Sequence, residues 1–226
     1  MKKIGFVVAM SKEMSVFIQK LGKEKGTDTV LGFLVRKYKI GNKKLYLIDA
    51  GVGEISSALA TNILISNYDV DCIVNFGVCG SLDNNLDIAD IVFVKSVFHF
   101  DRDTSPIDNC EIGYYPEFGE KYLSVNPEML ESAKKVQNLP EVVCASSEKF
   151  VASTDTKQML VSHGANICEM ESAGVVITCK RMNVPCLIVK AVSDKADESA
   201  SMSFTEMLNL AMQRCSDFLY QYIQTL

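Results

Sequence analysis

Short apolar runs alternate with segments of helical period through nearly all of the 226 residues, and that alternation limits the fold more than any other feature. Strand-length apolar runs separated by helices predict an α/β domain. Residues 4–9 read as a buried strand. Residues 12–21 read as a helix with Met14, Phe17, Ile18 and Leu21 on one face. Residues 33–40 and 44–49 flank Gly41-Asn42-Lys43, a plausible hairpin turn. A helix over 54–66 and strands over 72–76 and 91–99 follow. The periodicity fades over 100–124, which reads as one long loop of the kind that serves as a lid or binding loop. Regular patterning resumes with a helix over 127–137 that Asn126 can cap. A strand near 142–145, a helix over 172–181, a strand ending at Ala191 and a helix over 203–223 complete the chain. No repeat or linker interrupts it, so one domain is expected.

Composition removes several classes of function. The net charge of -5 argues against a nucleic-acid partner, which calls for a basic face. No apolar run reaches the ~20 residues that span a bilayer. The stretch after Met1-Lys2-Lys3 runs into Ser11-Lys12-Glu13 without a small-residue cleavage site, so a buried first strand and a cytoplasmic address are expected. Most of the eight cysteines sit inside apolar runs and no Cys-x-x-Cys pair occurs, which predicts buried, reduced thiols. His99 and His163 have no partner at metal-ligand spacing, so no metal site is expected.

Chemistry concentrates in a few segments. Cys168-Glu169-Met170-Glu171-Ser172-Ala173-Gly174 sets two carboxylates around one methionine at the start of a predicted helix. Asp194 lies just beyond the apolar strand ending at Ala191. Ligands of open α/β sheets bind at strand ends, so acidic groups there fit a polyol-binding, acid–base site. Two glycine-bearing turns are expected after strands, Gly51-Val52-Gly53 and Gly77-Val78-Cys79-Gly80-Ser81. Neither completes a dinucleotide fingerprint or a phosphate loop. Taken singly, each feature also has a plain structural reading. Glu13 in a first helical turn suits the helix dipole, Asp194 suits a loop, and Phe150 suits a core. Glu169 and Glu171 share a face only if the chain is extended there.

In this order the pieces resemble the purine nucleoside phosphorylase and nucleosidase superfamily, and within it the 5′-methylthioadenosine/S-adenosylhomocysteine nucleosidases. The matching landmarks are the segment from Ile4 through Glu13, Gly51-Val52-Gly53, Asn75-Phe76-Gly77-Val78-Cys79-Gly80 and Phe100-Asp101-Arg102-Asp103-Thr104. Further on come Ser147-Glu148-Lys149-Phe150-Val151, Glu169-Met170-Glu171, and Ser193-Asp194-Lys195-Ala196-Asp197 with Phe204 behind it. The resemblance implies a three-layer sandwich around a central mixed, twisted sheet. It implies that Asp194 donates a proton to purine N7 and that Glu13 activates the attacking water. Glu171, with Glu169 and the Met170 backbone, would grip the ribose hydroxyls. Phe150 would stack on the base, Val151 would meet its edge, and Ser193 would orient Asp194. Met10, Val52 and Phe204 would wall the 5′ substituent, with Gly77 and Val78 in the neighbouring glycine segment.

Two carboxylates on either side of a glycosidic bond suit its hydrolysis, because the sugar gains positive charge while the base gains negative charge. The same resemblance implies a homodimer in which the 100–124 segment closes the neighbour's pocket; an ordinary loop is the alternative. No cofactor is implied. Val78 stands where many nucleosidases carry serine, and residues 104–110 depart from the commonest lid. A phosphate-using phosphorylase competes, but the segments that would hold phosphate carry Met10, Ser11, Lys12, Asn75 and Val78, and only Arg36 lies near a segment able to supply an arginine. A non-catalytic nucleoside-binding protein is a further alternative.

Overall fold

The computed structural model describes residues 1–197 and 200–226, with side chains described throughout except at 200–206. Strands β1 (Lys3–Val8), β2 (Gly26–Val30), β3 (Phe33–Ile40), β4 (Lys43–Asp49), β5 (Cys72–Ser81), β6 (Ile91–His99), β7 (Tyr122–Ser124), β8 (Glu141–Ser146), β9 (Ile167–Glu169) and β10 (Cys186–Asp194) form one mixed sheet. Helices α1 (Ser11–Leu21), α2 (Glu54–Tyr68), α3 (Ser105–Asp108), α4 (Pro127–Lys134), α5 (Thr154–Ser162), α6 (Ser172–Met182) and α7 (Ala200–Thr225) intervene. The spatial order is β10-β6-β8-β9-β5-β1-β4-β3-β2, with β7 beside β6. β10 also pairs with β5, so five strands close on themselves at one end of the sheet.

Side-chain alternation along β1 explains the layers. A Cβ on Gly5 would meet Leu64 of α2, whereas Phe6 points the other way and packs on Phe17 of α1, with ring centroids 5.3 Å apart. Phe76 of β5 joins the second group at 5.1 Å from Phe17. α6 lies against α2 on the first face, and α7 lies against α1, β5 and β10 on the second. Strands covered on both faces are apolar throughout rather than alternating, and every residue of β5 and β10 is buried. Burying that much apolar surface is the main driving force for the fold.

The predicted strands, the β3–β4 hairpin and the long helices are present, and Asn126 caps α4 by accepting a hydrogen bond from the Met129 amide at 2.8 Å. Three expectations change. The predicted turn at 77–81 is the second half of β5, because neither Gly77 nor Gly80 adopts positive φ and the run stays paired with β10. β10 runs on to Asp194, which is the last residue of the strand rather than a loop residue. The 100–124 segment holds α3 and β7, and Tyr115 folds back into the chain's own core. Helix α5 and the short strands β2 and β9 were not foreseen: α5 buries only Leu160, and three residues of β9 carry no period. All eight cysteines are free thiols, and seven are buried. Among the described residues no helix is long and apolar enough to cross a membrane.

Candidate active site

The C-terminal ends of parallel strands β1, β5 and β10 converge with the β9–α6 corner around a cavity of about 280 Å³. Met10, Glu13, Val52, Val78, Phe150, Val151, Glu169, Met170, Glu171, Ser193 and Asp194 all line it. Eleven positions scattered over the sequence thus share one wall. Gly77 does not line the cavity but sits behind it, and the side chain of Phe204 lies outside the described residues.

Glu13 occupies the first turn of α1, where the chain leaves β1. Its carboxylate is fixed from two directions: Oε1 accepts the Val78 N–H at 2.8 Å and Oε2 accepts the Met10 N–H at 3.0 Å. The approach is possible because residue 77 is glycine; a Cβ there would lie 2.6 Å from Glu13 Oε1. Burial pushes the Glu13 carboxyl up to about 7, against those two hydrogen bonds and the positive field of Lys190.

Asp194 is seated by a parallel device. The β5–β10 register shifts between Val192 and Asp194, which brings Asp194 opposite Gly80. Such irregularities re-aim side chains. A Cβ on Gly80 would lie 2.8 Å from Asp194 Oδ1. Oδ1 accepts the Ala196 N–H at 2.9 Å, and Oδ2 accepts the Ser193 hydroxyl at 2.8 Å. Burial raises this carboxyl above the ordinary aspartate range, and those hydrogen bonds oppose it. Gly77 and Gly80 are three residues apart on β5, so the two glycine seats lie about 10 Å apart along the strand.

Glu169 ends β9 and Glu171 caps α6, so a strand-to-helix corner rather than an extended run brings both to the cavity. Their environments differ. Glu169 Oε2 pairs with the buried Lys190 ammonium at 2.7 Å and also accepts the Ser172 hydroxyl at 2.8 Å. Burial alone would raise Glu169, but Lys190 and these hydrogen bonds hold it below the usual carboxylate range. Among the described residues, Glu171 accepts only the Gly53 N–H, at 3.1 Å through Oε1. Burial, reinforced by the Glu169 charge, pushes it up to about 8. Its backbone is held by the Ser57 hydroxyl, which donates to the Glu171 carbonyl at 2.8 Å, where α2 and α6 pack closely over Gly174.

Phe150 is 50% exposed at the rim, while Val151 is buried. Val52 is also half exposed. Arg36, the one arginine that sequence placed near a candidate segment, pairs instead with Glu24 at 3.0 Å, and no arginine lines the cavity. Lys190 was missed, although a single lysine within Leu187-Ile188-Val189-Lys190-Ala191-Val192 is a visible signal: a charge in a doubly covered strand needs a buried partner. His99, expected to lack ligand partners, meets Glu54 and Asp101, which are 45 and 2 positions away in sequence.

The phosphorylase superfamily profile matches residues 3–224. The chain is 32% identical to the aminodeoxyfutalosine nucleosidase of Helicobacter pylori, with each protein covered in full. It is 29% identical to the 5′-methylthioadenosine/S-adenosylhomocysteine nucleosidase of Haemophilus ducreyi, over 96% of this chain and 95% of that one. A solved Helicobacter pylori 5′-methylthioadenosine/S-adenosylhomocysteine nucleosidase, in complex with a propynylthiomethyl pyrrolidinol that carries an aminopyrrolopyrimidine, superposes with a TM-score of 0.96 at 31% identity. That likeness covers 100% of this chain and 99% of the other. The chain belongs to the phosphorylase superfamily, among its nucleosidases.

Proposed function

We propose that this protein hydrolyses the N-glycosidic bond of an adenine nucleoside with a 5′ thioether, 5′-methylthioadenosine or S-adenosylhomocysteine, and releases adenine. The observation that carries this reading is the pair of buried carboxylates, Glu13 and Asp194, each seated against a strand glycine in one cavity.

As the bond breaks, electrons move to the purine and the ribose becomes cationic. Asp194 protonates the purine at N7, and burial favours the proton-bearing form it needs beforehand. Ser193 and the Ala196 amide fix the direction of that carboxyl. Glu13 takes a proton from water as the water attacks the anomeric carbon; both its oxygens are held by main-chain amides, so the base is pre-oriented. Glu171 holds the ribose diol with the oxygen that Gly53 leaves unused, and the developing positive sugar favours its ionised form. Phe150 stacks on the adenine, and Met10 and Val52 contact the 5′ group. A pyrrolidine in place of ribose, as in the ligand of the solved relative, is a cation of the kind such a pocket stabilises.

Water is favoured over phosphate because Glu13, Glu169, Glu171 and Asp194 line the cavity without an arginine, and Lys149, the lysine in its lining, is exposed. The test is adenine release from methylthioadenosine by purified protein in phosphate-free buffer. A requirement for added phosphate, with a sugar phosphate as product, rejects the hydrolytic reading; binding without turnover in either buffer rejects catalysis. The full-length likeness to an aminodeoxyfutalosine nucleosidase favours a second reading of the 5′ group alone. Rates on aminodeoxyfutalosine, methylthioadenosine, adenosylhomocysteine, adenosine and inosine separate the two. A second copy of the chain is the proposed partner, since Val52, Ile55 and Leu59 around the start of α2 and Ile107 of α3 are exposed. Sedimentation of a monomer at micromolar concentration would reject it.

A further inference from the structure

Glu54, His99 and Asp101 meet outside the nucleoside cavity, and the chemistry above uses none of them. Glu54 opens α2, His99 closes β6, and Asp101 follows two residues later. His99 Nε2 lies 2.7 Å from Glu54 Oε2 and 2.9 Å from Asp101 Oδ1. One ligand atom from each residue falls within 4.8 Å of the others. A ring nitrogen carries at most one proton, so a protonated His99 has a single N–H there for two carboxylates. The mismatch is visible among the described residues: Glu54 is 7% exposed with Oε1 unpartnered, and Asp101 Oδ1 is buried without accepting a hydrogen bond. Converging carboxylates that are buried and incompletely paired cost free energy unless a cation joins them.

The other face of the imidazole fits a ligand role. Nδ1 is 2.5 Å from the Tyr115 hydroxyl, and Arg102 lies 4.4 Å above the Tyr115 ring. A histidine that ligates through one nitrogen characteristically donates from the other to an outer partner. We propose that Glu54, His99 and Asp101 bind one divalent transition metal of zinc type, with Tyr115 holding His99 in the ligating tautomer. One imidazole with two carboxylates is a borderline donor set, better suited to zinc than to magnesium or calcium, and three protein ligands leave a position for water. Zinc ligands at about 2.0–2.2 Å stand about 3.4 Å apart in a tetrahedron, so the two imidazole–carboxylate distances of 2.7 and 2.9 Å need open by only about 0.5–0.7 Å.

The bound ion would tie the 100–124 segment to the start of α2. Gly53, next to Glu54, donates to Glu171, while Asp101 accepts the Glu148 amide at 3.2 Å and Glu148 accepts the Ile55 amide at 2.8 Å. Its part is therefore to position the cavity rim, not to take part in bond cleavage.

The test uses the full-length chain, stripped with chelator, dialysed, and titrated with zinc chloride, with magnesium chloride as contrast. Calorimetry and elemental analysis are expected to give one zinc per chain, with a rise in Tm of several degrees and no comparable response to magnesium. His99→Gln and Asp101→Asn should each weaken zinc binding at least tenfold, and Tyr115→Phe roughly tenfold. Asp101 is one-fifth exposed, so its variant carries the test if His99→Gln fails to fold. Absence of zinc binding overturns the proposal and leaves an ionic cluster around an imidazolium. Equal binding by wild type and variants also overturns it, by placing the metal elsewhere, the cysteines included.

Discussion

The two carboxylate seats on β5 are built alike but supply their carboxylates with different donors. At each, a glycine removes the side chain that would collide with the carboxylate: Gly77 for Glu13 and Gly80 for Asp194. At Glu13 both oxygens are bound by main-chain amides, which cannot rotate away, so the group is a fixed acceptor. At Asp194 one of the two donors is the Ser193 hydroxyl, which can turn to donate or accept as the carboxyl gains or loses its proton. A base that must aim a water and an acid that must release and recover a proton call for these different supports. The opposite roles proposed for the two acids match the donors around each.

The largest expected effect comes from removing the acid. Asp194→Asn keeps the shape but cannot protonate the leaving purine, and kcat should fall by about a thousandfold, within the range for a single proton-transfer group. Retention of most of the rate would show that the base leaves unassisted. Glu13→Gln should cost at least a hundredfold for the same reason. Wild-type kcat/KM should also fall as pH drops below about 7, where Glu13 takes up the proton that disables it as a base. A pH profile unchanged in Glu13→Gln would assign that limb to another group.

Next come the glycines. Gly80→Ala forces a Cβ against Asp194 and against Ala196 at 3.0 Å, and should lower kcat about tenfold with a stability loss of about 1–3 kcal/mol. Gly77→Ala should act on the base side to a similar degree; full activity in both would mean that the seats are not tight. The smallest effect is expected for Ser193→Ala. That change removes one hydrogen bond to Asp194, worth about 1 kcal/mol, and should lower kcat by about fivefold with little change in KM. Rescue by Ser193→Thr, measured by steady-state kinetics, would tie the loss to the hydroxyl.

Much of the site was legible because its residues break local rules. Glu13 follows an apolar strand, Glu171 precedes Ser172-Ala173-Gly174, and Asp194 ends an apolar run. The strand ends were less legible. Glycine at 77 and 80 looks like a turn signal, and only the sheet shows that these glycines make room within a continuous strand. Glu169 and Glu171 looked equivalent as neighbours, and the structure separates them by giving Lys190 to one alone. The Glu54–His99–Asp101 cluster left no trace in sequence spacing, since its members come from a helix start, a strand end and a loop.

By itself the sequence determined the alternation of strands and helices, the acidic segments and the family to which they belong, because apolar periodicity and local motif order are properties of the chain in one dimension. The tertiary structure decided which acid is paired, which is raised toward neutrality and which glycine faces which carboxylate. Those properties depend on burial and on distances of a few ångströms between residues far apart in the chain, and only folding sets them.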